Sequence, residues 1–196
     1  MFTTTDKRWP ATRTMNTTAA LIVGLYLGGA SAEDVGGPYG FGAAPSEAEL
    51  EAVTIAILPD GRHLPAGEGT AQTGKAVFET KCLACHGADL KGVKETGGAA
   101  LVGGRGTLAS GAAVKTVESY WPYATTVFDY VRRAMPFDAP GSLSNDEVYA
   151  LVAYVLAQGG IIEETDVINA DSLAKVKMPN RDGFIPDPRP DVRNYN

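Results

Sequence analysis

The chain has 196 residues, with 17 Lys and Arg against 23 Asp and Glu, giving a formal charge of −6 at pH 7. An acidic chain has little electrostatic hold on a phosphate backbone, so nucleic acid is not an expected partner. Two cysteines and two histidines leave room for one small cluster of soft ligands and little more.

Residues 1–32, MFTTTDKRWPATRTMNTTAALIVGLYLGGASA, read as an export signal. Lys7, Arg8 and Arg13 form the basic head, and Ala19 to Leu27 an apolar stretch too short to span a bilayer. Ala30-Ser31-Ala32 has the small-x-small pattern of a peptidase site, so cleavage is expected after Ala32, leaving no membrane anchor and a protein in the periplasm. Without Lys7, Arg8, Arg13 and Asp6, 14 basic residues face 22 acidic ones, a formal charge of −8.

Residues 33–69 form an N-terminal arm and linker. Glu33 to Pro45 is glycine- and proline-rich and should be extended. Ser46 with Glu49 then gives a short helical start, followed by a turn at Pro59-Asp60-Gly61. From Thr70 the periodicity sharpens, because Gly74, Phe78, Cys82 and Cys85 recur at helical spacing and should share one face of one helix. Leu90 to Ser110 is glycine-rich and cannot bury much apolar area alone, so it should be a loop wrapped around something.

Trp121-Pro122 should open the next helix with proline in its first turn, and Val127, Phe128 and Val131 supply an apolar stripe up to Ala134. Met135-Pro136 stops it. The last helix starts at Ser144, which forms a capping box with Glu147 while Leu143 and Val148 staple its start. Val148, Leu151, Val152 and Val155 are its buried stripe, and Gly159-Gly160 end it. Gly74, Phe78 and Tyr154 have the composition of a helix crossing. Residues 70–160 thus form the principal domain, and 161–196, with four prolines and no sustained period, a tail that wraps the core or reaches a partner. The class is mostly α.

The chemistry lies in Lys81 to Gly87, KCLACHG, which holds both cysteines and one of the two histidines. Cys-x-x-Cys-His is the attachment signature of c-type haem: each thiol adds to a vinyl group and the adjacent histidine is placed under the iron. Cys82 and Cys85 are the expected thioether links and His86 the proximal ligand of one covalent haem c. A tetrahedral zinc site would need distant His63 as its fourth ligand, and a redox dithiol would need a βαβ context that is absent. His63 reads as an exposed loop residue. The other side of the iron decides between electron transfer and ligand chemistry, and Met135, 49 residues after His86, is the expected sixth ligand. Met178, in KMPNRDGF, is the runner-up; either methionine could instead pack in the core. Arg105, Trp121 and Tyr123 could bind haem propionates or be ordinary structural residues.

With GxxxF before CLACHG, a glycine-rich loop, a helix ending in Met-Pro and a last helix bearing LVAYVL, the region from Thr70 to Gly160 resembles a class I cytochrome c. The resemblance implies a helical fold around one haem and single-electron transfer without catalysis by the chain itself. ESYWPYATTVFDYVRRAMPFDAPGSLSNDEVYALVAYVLAQGGII followed by VKMPNRDGF resembles more narrowly the haem subunits of periplasmic sulfite and sulfane dehydrogenases. That likeness implies a molybdenum-cofactor subunit as donor and a soluble cytochrome or other acceptor. The single haem motif favours the sulfite dehydrogenase type. The alternatives are a haem protein with a labile sixth ligand acting on or sensing a small molecule, and a freely diffusing carrier.

Overall fold

The computed structural model describes residues 42–53 and 56–185. The expected export signal, most of the arm and residues 186–196 lie outside them. The chain divides into a unit up to Ser46 and one from Glu47 onward, and every described element belongs to the second. In order these are α1 (Glu47–Val53), β1 (Glu68–Thr70), α2 (Ala71–Lys81), α3 (Leu83–His86), α4 (Ala124–Ala134), α5 (Asn145–Gln158), β2 (Val167–Asn169) and α6 (Ala170–Leu173), with a single 3-10 turn at Lys94–Thr96. The expected mostly helical fold is present.

Two capping boxes set the principal helices. Thr70 caps α2: its hydroxyl accepts from the Thr73 N–H at 3.3 Å while the Thr73 hydroxyl accepts from the Thr70 N–H at 3.1 Å. Ser144 and Glu147 make the same exchange at the start of α5, at 3.3 and 2.8 Å, as their spacing predicts. Such a cap is worth about 1 kcal/mol because it satisfies amides that have no partner inside the helix. Leu143 and Val148 flank the second box and both lie in the core.

Helix α5 is the centre of the molecule, with every residue from Val148 to Leu156 buried. Against it α2 packs at backbone distance: a Cβ added to Gly74 would lie 1.9 Å from the Ala150 carbonyl oxygen and 2.8 Å from the Tyr154 Cβ. One turn on, the rings of Phe78 and Tyr154 meet with centroids 5.2 Å apart, so the crossing read from these three residues is correct. Helix α4 approaches another side of α5 through Phe128 and Tyr149, 4.4 Å between centroids.

The segments flanking this bundle are parts of its core. Ile57 of the linker and Ile168, Leu173 and Met178 of the tail are buried in the same apolar cluster. Strand β1 pairs antiparallel with β2, with Gly69 opposite Ile168, which joins linker to tail. Neither three-residue strand shows alternation that a sequence window could detect. The linker is also pinned to α4, where the buried Asp129 carboxylate accepts the Ile57 N–H at 2.9 Å and the Thr125 hydroxyl donates to the Pro59 carbonyl at 3.1 Å.

Two expected helix limits are corrected. Pro122 is not in the first turn of α4; Tyr123, in an extended conformation (φ −138°), is the N-cap and the helix starts at Ala124. The helix carrying the cysteines is also not continuous through Cys85. It ends at Lys81, and Cys82 (φ −127°) caps both α2 and the short α3. The break has a tertiary cause. The carbonyls of Cys85 and His86 accept the Val93 and Gly92 N–H groups, each at 2.9 Å, and Gly98 lies so near that a Cβ there would be 1.7 Å from the Cys85 oxygen. The returning loop thus holds α3 off the α2 axis.

The Gly74 contact gives a direct test. Gly74→Ala should destabilise the protein by about 3 kcal/mol, since the new methyl meets backbone that cannot rotate away. Gly111→Ala, with nothing within 4 Å of the added carbon, should change the urea midpoint by the equivalent of less than about 0.5 kcal/mol.

Candidate haem site

The two cysteines and His86 occupy one helical turn. The His86 N–H bonds to the Cys82 carbonyl at 2.9 Å, which fixes the histidine relative to the first thiol. The two cysteines are not joined by a disulfide; Cys82 is half-buried and Cys85 exposed. Burial pushes the Cys82 thiol up to about 11, with the Lys81 charge pulling weakly the other way.

The His86 ring is oriented by backbone. Its Nδ1 lies 2.7 Å from the Ala99 carbonyl oxygen, which can only accept, so Nδ1 carries the proton and Nε2 holds the free lone pair. That is the tautomer an iron ligand needs, and the hydrogen bond would raise the basicity of Nε2 toward a metal. Two unbridged cysteines and a histidine with a free Nε2 fit a covalently attached haem. Among the described residues no cluster of three or more His, Cys, Asp or Glu could hold a metal ion by itself.

The two methionines differ sharply. Met135 is the C-cap of α4, its N–H bonded to the Val131 carbonyl at 3.0 Å, and its side chain is half-buried. The Met135–Pro136 peptide is cis, and Pro136 is buried. Met178 is 3% exposed and packed in the core cluster. Both α2, which leads to His86, and α4, which ends at Met135, pack on α5.

The looser candidates make the following contacts. Arg105 pairs with Glu118 at 2.8 Å and donates to the Gly159 and Gly160 carbonyls at the end of α5. Trp121 packs edge-on to Tyr130, with centroids 5.8 Å apart, and Arg181 lies 4.2 Å over the Tyr123 ring. His63, with φ 70°, is an exposed turn residue bonded to the Ala56 carbonyl, as expected of it. Sequence reading missed the Ala99 carbonyl, which carries no side-chain signal, and Glu118, which sits in a loop. Asp129 did leave a trace: an acid beside the apolar stripe of α4, four residues before Arg133.

Comparison with known proteins identifies the family. The cytochrome c family model matches residues 71–158. The crystal structure of the sulfane dehydrogenase SoxCD from Paracoccus pantotrophus aligns with a TM-score of 0.69 and 40% identity, covering 77% of this chain and 73% of that one. Thiosulfate dehydrogenase from Allochromatium vinosum is 28% identical over 110 residues, or 55% of this chain; the chain spans only 34% of that protein's length. The protein therefore belongs to the cytochrome c family, as a class I c-type cytochrome. Its cofactor is covalently bound haem c and its activity is electron transfer. Among the described residues no helix is long and apolar enough to cross a membrane.

Glu147 links the end of α2, just before Cys82, to α5. One carboxylate oxygen accepts from Lys81 Nζ at 2.8 Å and the other from the Ser144 N–H. The Lys81 hydrogen bond, followed by the Ser144 N–H, holds the carboxyl below its usual range. A depressed folded-state pKa contributes stability that is fully present above the ordinary carboxylate value and lost as pH falls through the depressed one. Both side chains are about a third exposed, so screening limits the effect to about 1 kcal/mol. Glu147→Gln should flatten the acid limb of the stability–pH curve below about pH 5 and lower stability at pH 7 by that amount, as measured by thermal unfolding across pH.

Proposed function

We propose that Cys82 and Cys85 carry the haem as thioethers, that His86 Nε2 and Met135 Sδ are its axial ligands, and that the protein is a periplasmic single-haem carrier. Its donor is a molybdenum-cofactor subunit that oxidises sulfite, and its acceptor a soluble cytochrome or comparable protein. The chain is the non-catalytic partner in that pair. The observation that carries the reading is the His86 Nδ1 bond to the Ala99 carbonyl, which leaves one nitrogen free for iron and fixes its direction.

When bound, haem supplies a one-electron couple at its iron. The Ala99 carbonyl holds the proton on Nδ1 and strengthens donation from Nε2. Met135 is preferred over Met178 because its half-buried side chain can face a bound group, whereas Met178 is enclosed by core residues. The Met135 thioether would supply a neutral sulfur ligand to the haem iron and so raise its reduction potential. A sulfur-oxidising partner is supported by 40% identity to a chain of the SoxCD sulfane dehydrogenase, and sulfite in particular only by the sequence resemblance and the single haem motif.

Replacing each methionine separately tests the ligand set. Met135→Ala should abolish the weak far-red band of the oxidised protein and let the reduced protein bind carbon monoxide, while Met178→Ala keeps the band and costs about 2–5 kcal/mol of stability as a core truncation. Loss of the band in Met178→Ala alone would reverse the assignment. For the partner, copurification from the native periplasm should bring a molybdenum-containing subunit; recovery of the cytochrome alone would leave a freely diffusing carrier.

A further inference from the structure

The carbonyl that orients His86 lies in a glycine-rich stretch with almost no regular structure; inside it the Gly98 N–H donates to the Val93 carbonyl at 3.2 Å and the Leu101 N–H to the Leu90 carbonyl at 2.8 Å, and a side chain beyond it grips the residues that follow. From Leu90 to Val117 the only regular element is the 3-10 turn Lys94–Thr96. Glycine is the residue that loses most conformational freedom on folding, and a carbonyl in such a segment wanders unless its neighbours are anchored.

Glu118 provides the anchor. One of its carboxylate oxygens accepts the Gly103 N–H, and the other accepts from Arg105 Nε at 2.8 Å. Its own N–H and that of Val117 both point at the Leu101 carbonyl, at 3.4 and 3.1 Å, and Leu101 in turn donates to the Leu90 carbonyl at 2.8 Å. Two residues before Glu118, the Thr116 hydroxyl donates to the Gly103 carbonyl at 2.7 Å. Gly103 is thereby gripped on both its amide and its carbonyl. The Glu118 side chain is only 15% exposed, so these bonds compete little with water. Arg105 completes the fixture: its guanidinium donates to the Gly159 and Gly160 carbonyls, where the α5 dipole favours a cation.

A continuous series of bonds thus runs from the end of α5 through Arg105 and Glu118 to Gly103 and Leu101, and Ala99 lies two residues further on. We propose that Glu118 is a positioning residue for His86: its carboxylate, braced by Arg105 on α5, fixes the loop whose Ala99 carbonyl sets the orientation and basicity of the imidazole. The proposal rests on His86 being the proximal ligand. The Glu118 carboxylate bonds to Gly103 and Arg105, not to His86, and acts through the backbone between residues 99 and 103.

The test uses the full holoprotein in its reduced, diamagnetic state, with hydrogen exchange read by NMR at the His86 ring Nδ1–H and at buried amides of α5 such as Val152. Glu118→Gln keeps one acceptor and the side-chain shape but cannot accept from both Gly103 and Arg105 as a carboxylate does. In this variant the ring proton should exchange about ten-fold faster while the α5 amides keep their rates, and the reduction potential should rise as the imidazole donates less. Glu118→Asp should recover part of the protection. If the ring proton is unchanged, or accelerates only in step with the α5 amides, Glu118 is merely a stability residue and the proposal fails. A wild-type protein whose His86 ring shows no ring-current shift from a bound porphyrin would overturn the ligand assignment and the proposal with it.

Discussion

The close approach of α2 and α5 at Gly74 is the constraint on which the rest of the molecule depends. With the Ala150 carbonyl filling the space where a side chain would stand, the two helices have one register and one distance. Two turns further along α2, Lys81 meets Glu147 in the first turn of α5, so the residue before Cys82 is tied to the same helix. The crossing is van der Waals packing over fixed backbone, which is stiff because interiors are close-packed. The ion pair adds direction with little energy.

Helix α5 serves as the common reference for both sides of the site. Its N-terminal turn holds Lys81, its middle receives Gly74 and Phe78, and its terminal carbonyls hold Arg105. The two residues proposed as axial ligands are then held by different means. His86 is held by main-chain bonds from a loop that returns over α3, whereas Met135 is the end of α4, a helix docked through Phe128 and pinned to the linker by Asp129. Asp129 is buried, and its charge is tolerable because the Ile57 N–H and the Arg133 guanidinium both donate to it. Linker and tail thereby become parts of the electron-transfer unit: the linker locks α4, and the tail covers the segment before it through the Asn180 bond to the Tyr120 carbonyl.

What could be read from sequence was local. The Ser144–Glu147 box, the apolar stripe of α5, the stop at Met135 and the helix crossing at Gly74, Phe78 and Tyr154 are set by neighbours within a few turns or by a small residue facing large ones, and all are present. The Cys82–His86 turn stands out in the sequence because the chemistry proposed for it demands contiguous residues, and the structure does place the three residues in one turn. Everything that failed to show was long-range. The β1–β2 pair joins residues nearly a hundred positions apart with three residues on each side, too few for a period. The break at Cys82 is imposed by the loop near Gly98, and α2 itself carries no stop signal before it. Pro122 misled because a proline that suits a first turn suits the extended residues before an N-cap equally well. The Ala99 carbonyl and the Glu118 anchor are interactions of backbone and loop, for which residue type alone gives no cue.

Peptide mapping of the protein matured in a host with a c-type cytochrome assembly system tests covalent attachment most directly. The fragment spanning Cys82 to Cys85 should carry the mass of one haem, retain its colour after acid–acetone extraction, and take up no alkylating reagent at either cysteine. Pigment lost to the solvent, with both thiols alkylated, would contradict a haem tethered through this turn.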